Sequence, residues 1–114
     1  MEMTEQTIQQ VERYIRKVAD KFPTPESEDD TSVLTDIHVR VSQDSGELLA
    51  FDDDDNEITR CVVEQWIENK DDNFYDEVAK CLRQLLRKNA ATIDALGILK
   101  PFSFVLEDDD KENL

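Results

Sequence analysis

The chain is poor in the residues that punctuate, crosslink or cradle: of its 114 residues only two are Gly, three Pro, two Cys and one His. Two glycines, Gly46 and Gly97, far apart, exclude a Gly-rich phosphate cradle, which needs several in one loop. Two cysteines without a C-x-x-C or a Cys/His cluster exclude a disulfide framework and a zinc knuckle. Cys61 and Cys81 instead fall on apolar stripes, where a free thiol acts as a small hydrophobe. No apolar run approaches ~18 residues, so no membrane-crossing helix is expected. The opening Met1-Glu2-Met3-Thr4 lacks the basic and apolar stretches of a secretory signal, and a cytoplasmic location is expected.

Positive charge is scarce as well. Thirteen Lys and Arg stand against 28 Asp and Glu, a net charge of −15, which excludes the concentrated basic face that direct nucleic-acid binding needs and opposes anionic lipid. The excess is segregated. Residues 1–22 hold four acids and four bases and residues 58–100 hold seven of each; residues 23–57 hold 12 acids against Arg40, and residues 101–114 hold five against Lys111. Such a field concerns partners more than fold.

Hydrophobic residues make up 39% of the chain and charged residues 36%, a balance that implies disorder only if the apolar residues are scattered. They recur with period. Thr4 caps a first helix whose stripe is Ile8, Val11, Ile15, Val18 and Phe22, and Pro23 and Pro25 stop it. Residues 23–32 carry no apolar side chain beyond proline and read as an exposed acidic linker.

From Val33 the period becomes two. Val33, Thr35, Ile37, Val39 and Val41 face one way and Asp36, His38 and Arg40 the other, a half-buried strand. Residues 42–46 then supply turn chemistry, and residues 47–51 a second strand of an antiparallel hairpin. Asp55 or Asn56 is read as the cap of a second helix, with Ile58, Cys61, Val62 and Trp66 inward. A third and longest helix follows residues 70–73, its stripe running from Phe74 through Val78, Leu82, Leu85 and Ile93 to Leu96, with Gly97 at its end. Phe102, Phe104 and Leu106 alternate in a last strand.

The expected fold is therefore α+β, in the order helix, strand, strand, helix, helix, strand. A small three-stranded sheet, antiparallel or mixed and of undecided strand order, is covered on one face by three helices. One domain spans residues 1–107, and residues 108–114 form a disordered acidic tail. No internal repeat is evident.

The run Asp52, Asp53, Asp54, Asp55, Asn56 and Glu57 is the densest set of oxygen ligands. As an EF-hand loop from Asp53 it places Ile58 where the turn needs Gly, and a strand precedes it where a helix is required, so no metal site is assigned. His38 has no nucleophile and no orienting partner in view, so no catalytic residue and no cofactor is assigned. Trp66 and Tyr75 read as core or core-edge residues.

These residues describe a small acidic, non-enzymatic interaction or regulatory domain. Asp52, Asp53, Asp54, Asp55 and Glu57 are its partner-binding residues, facing a basic protein, with self-association through a sheet edge as a second kind of contact. Two alternatives are a carboxylate-bound divalent metal supporting hydrolase or phosphotransfer chemistry, and mimicry of DNA against a basic protein.

Overall fold

The computed structural model describes residues 3–23, 33–67, 69–98 and 101–114. All of the 23–32 linker beyond Pro23 lies outside the described residues. The elements run α1 (Glu5–Lys21), β1 (Ile37–Val41), β2 (Glu47–Phe51), β3 (Glu57–Val62), α2 (Glu64–Ile67), α3 (Phe74–Lys88), α4 (Ala90–Asp94) and β4 (Phe104–Glu107). They build an α+β fold around one four-stranded mixed sheet of order β3-β2-β1-β4.

Thr4 caps α1 by accepting a hydrogen bond from the Thr7 amide, as its sequence position predicts. The α1 stripe of Val11, Ile15 and Val18 is buried, with Tyr14 beside it donating its hydroxyl to the Leu49 carbonyl at 2.8 Å. The two hairpins β1-β2 and β2-β3 are antiparallel, and β4 returns parallel to β1 after the helical connection that a parallel pair requires.

Three elements differ from the sequence expectation. The helix expected from Asp55 or Asn56 to Trp66 is a strand followed by a single helical turn, and this adds the fourth strand. The chain turns back on itself at residues 52–56, so Thr59 meets Ala50, Arg60 meets Leu49 and Cys61 meets Leu48. Ile58, Thr59 and Val62 are β-branched and suit that ladder. A register shift between Ala50 and Phe51 lets both Ile58 and Cys61 pack on the core, which imitates a helical spacing. The long third helix also breaks. α3 ends at Lys88, where the Asn89 side chain donates to the Leu85 carbonyl, and the short α4 follows.

The first strand begins at Ile37 rather than Val33, which makes only an isolated parallel bridge to Ile98, while Leu34 is 79% exposed. The core gathers Ile37, Val39, Val41, Leu48 and Ala50 from the sheet against Val11, Ile15, Val18, Val78, Leu82 and Leu85 from the helices. Trp66 and Phe74 lie at its end, both fully buried, in an edge-on ring contact with centroids 5.9 Å apart. The opposite face of the sheet has no described helix over it. It carries His38 and Arg40 from β1, Leu49 and Phe51 from β2, Arg60 from β3, and Val105 and Glu107 from β4, as alternation along the paired strands demands.

Candidate acidic face

The expected partner-binding run does not start a helix; it closes the β2-β3 hairpin. The Asp55 amide donates to the Asp52 carbonyl at 3.1 Å, and the Asp52 amide to the Asn56 carbonyl at 3.0 Å. Asp55 takes φ of 61°, the left-handed position at which such a turn favours Gly or Asn. Asp52 is its internal clasp. Its Oδ1 accepts from the amides of Asp54 and Asn56, both at 2.9 Å, and its Oδ2 from the Asn56 side chain at 3.1 Å. Burial raises the Asp52 carboxyl, but these hydrogen bonds and the charge of His38 outweigh it and hold the carboxyl below its usual range.

The same turn occurs a second time at residues 108–112, beyond the end of β4. The Asp108 amide donates to the Glu112 carbonyl at 2.9 Å and the Lys111 amide to the Asp108 carbonyl at 3.1 Å. Asp108 Oδ1 accepts from the amides of Asp110 and Glu112, both at 2.9 Å, and Lys111 takes φ of 66°. Residues 51–56, Phe-Asp-Asp-Asp-Asp-Asn, and residues 107–112, Glu-Asp-Asp-Asp-Lys-Glu, thus match turn for turn. The signal is a run of three aspartates after a strand, Asp52 to Asp54 and Asp108 to Asp110, each ending directly before the left-handed position. The expectation of a disordered tail concerns motion; in geometry the tail folds back, with the Leu114 amide donating to the Leu106 carbonyl at 2.8 Å.

The first turn leans over the open face of the sheet, where Lys111 of the second reaches it, while Asp109 of the second accepts from the Tyr75 hydroxyl of α3 at 3.4 Å. Asp53 Oδ1 lies 2.7 Å from His38 Nε2, and His38 Nδ1 lies 3.0 Å from Glu107 Oε2. Arg40 Nη2 reaches Glu107 Oε1 at 3.2 Å and Asp55 Oδ1 at 4.0 Å, and Lys111 Nζ stands 3.8 Å from Asp55 Oδ2. The Arg40 guanidinium sits 4.3 Å over the Phe51 ring, a cation-π contact. The first turn is pinned further by its Asp53 amide, which donates to the buried Thr35 hydroxyl at 2.9 Å.

The five expected residues therefore divide. Asp52 is structural, Asp53 faces the His38 ring, Asp55 faces Arg40, and Glu57 pairs with Arg60. Asp54 alone among them has a carboxylate with neither a hydrogen bond nor an ion pair among the described residues. Sequence reading missed Glu107 and Arg40; the cue was that Arg40 shares the polar face of β1 with His38, while Glu107 ends a strand that must pair with it.

For metal chemistry, the described contacts bring Asp53 of the Asp52 to Asp55 run to one nitrogen of the imidazole, and the other nitrogen faces Glu107. Among the described residues, three potential ligands come within 4.8 Å of one another only at Asp108, Asp109 and Asp110, on the surface. Burial pushes both thiols, Cys61 and Cys81, up from their ordinary value, away from thiolate reactivity. No described helix is long and apolar enough to cross a membrane. No protein-family model, no curated protein and no solved structure matches this chain.

Proposed function

We propose that this protein is a non-enzymatic interaction domain that offers the paired acidic turns to a basic protein surface. The observation that carries the reading is that two geometrically equivalent acidic turns touch, Lys111 of one standing 3.8 Å from Asp55 of the other, beside a sheet face that no described helix covers. Asp54 on one turn and Asp110 on the other point charge outward from clasped backbones, so little conformational entropy is lost when a cation docks. The helical layer behind the sheet is close to neutral: α1 to α4 together carry eight bases and seven acids. A molecule polarised in this way is steered to a positive surface in one orientation, with an encounter rate that falls as salt rises.

The test uses an arginine- and lysine-rich peptide as probe, followed by amide chemical shifts of the protein. The expected shifts cluster at residues 53–57 and 108–112, shrink on adding salt to about 0.5 M, and weaken in the double variant Asp54→Asn, Asp110→Asn. Neither side chain makes a hydrogen bond or ion pair among the described residues, so the fold should be indifferent to that change. Shifts that map instead to the helical layer, or that ignore both salt and the variant, would overturn the reading. Should a basic partner found this way be a DNA-binding protein that DNA displaces, the function narrows to mimicry of a phosphate backbone.

A further inference from the structure

The proposal here rests on the acidic-face reading and concerns what holds that face down. An ionised carboxylate only accepts hydrogen bonds, and a neutral imidazole donates from one ring nitrogen while the other offers a lone pair. Both His38 nitrogens lie within hydrogen-bond distance of carboxylate oxygens, Asp53 on one side and Glu107 on the other. With both carboxylates ionised, the two contacts form together only when the ring carries two protons. Arg40 lies 3.2 Å from the second oxygen of Glu107, and the half-exposed Asp53 also accepts from the Asp36 amide at 3.3 Å.

We propose that His38 is the positioning residue of the acidic face: as imidazolium it latches the turn at residues 52–56 onto β1 and Glu107, and on losing the Nε2 proton, with the other kept on Nδ1 against the buried Glu107, it frees the Asp53 carboxylate for a basic partner. The charged groups around the ring favour the latched form. Asp36 and Arg40 flank it on its own strand, Asp52, Asp53 and Asp55 come from the turn, and Glu107 comes from β4, with Lys111 behind Asp55. The acids outnumber the cations, and the helices pack on the other side of the sheet. Burial of the ring opposes its charge, but the hydrogen bonds and charges of Asp53 and Glu107 outweigh burial and raise the pKa above 6.5. Release is then a change of one charge beside a turn that keeps its own clasp, Asp52, so the turn moves as a unit.

His38 is the sole histidine, so its ring signals in a proton NMR titration need no assignment by mutation. The expected result is a midpoint above 6.5 with the amides of Asp53, Asp54 and Asp55 moving on the same curve, and a lower midpoint in Asp53→Asn. A lysine-rich peptide should bind the wild type roughly two- to fivefold tighter above that midpoint than below it, the worth of one exposed ion pair. In His38→Gln the peptide affinity should be flat across the same range. A midpoint at or below 6.5, or turn amides that do not follow the ring, would sink the latch even if the peptide binds. If the ring and turn titrate together but no peptide binds at any pH, the latch stands and the acidic-face reading falls.

Discussion

At Asp55 and Lys111 the backbone adopts left-handed φ values that cost an L-residue energy, and in each case an Asp three residues earlier closes the turn that imposes them. Asp55→Gly removes that cost while adding freedom to the unfolded chain and giving up the weak pairs to Arg40 and Lys111. A net stabilisation of about 0.5 kcal/mol is expected in urea titrations. Asp52→Ala does the reverse. It strands three donors of the turn at a half-exposed site and should cost about 1 kcal/mol, most of it restored by Asn, whose oxygen can accept the backbone amides. The pH dependence of the two titrating groups has opposite sign. The folded pKa of Asp52 is depressed, so its contribution is present above about 3.8 and is lost as pH falls through the folded value. The folded pKa of His38 is raised, so its contribution is complete below about 6.5 and is lost as pH rises through the folded value. Unfolding free energy measured at a series of pH values should therefore fall across that upper window in the wild type and not in His38→Gln.

Among the elements, the β2-β3 hairpin decides the architecture, and Gly46 shows how tightly its neighbours are joined. Gly46 has φ of 69°, its carbonyl accepts from the Val63 amide at 2.8 Å, and a Cβ there would lie 2.5 Å from Ile67 Cγ1 and 2.9 Å from the Val63 carbonyl oxygen. The backbone atom cannot yield as a side chain can. Gly46→Ala should cost about 2 kcal/mol or more, read as a shift in denaturation midpoint, because it adds a steric clash to a strained turn. Trp66 is held by the same junction. It is one of four residues in α2 yet fully buried against Phe74, with its indole N–H toward Met3 Sδ at 3.4 Å. Trp66→Ala should cost about 3–5 kcal/mol and abolish the cooperative near-UV dichroism transition. The periodicity of residues 58–66 was legible, but its meaning was not: Ile58, Cys61 and Trp66 fit a helical stripe as well as they fit a bulged strand followed by a turn. Closure of residues 52–56 onto β2 chose between them, and that closure is a long-range pairing that no local spacing reveals.

For the molecule as a whole, −15 on 114 residues is a self-repulsion that the few ion pairs on the open face only partly offset. Exposed pairs are worth little and are screened together with the repulsion, so the repulsion should dominate the salt response. The thermal midpoint is expected to rise by a few degrees, roughly 2–6 °C, between about 0.01 M and about 0.2 M NaCl. Calorimetry checks this, and a midpoint that falls with salt would mean that the His38, Arg40 and Glu107 network contributes more than the net charge removes.

The amino-acid sequence by itself determined the class of fold, the α1 stripe with its Thr4 cap, the β1-β2 hairpin, the polar face bearing His38 and Arg40, and the concentration of acid in two short stretches, because each is written in local periodicity and composition. Tertiary structure alone decided that residues 57–62 are a strand, that β4 lies parallel against β1, and that the two acidic stretches form the same turn, Lys111 of one reaching Asp55 of the other. Those outcomes depend on which strand pairs with which and on where a left-handed residue is tolerated, free energies settled between segments distant in the chain.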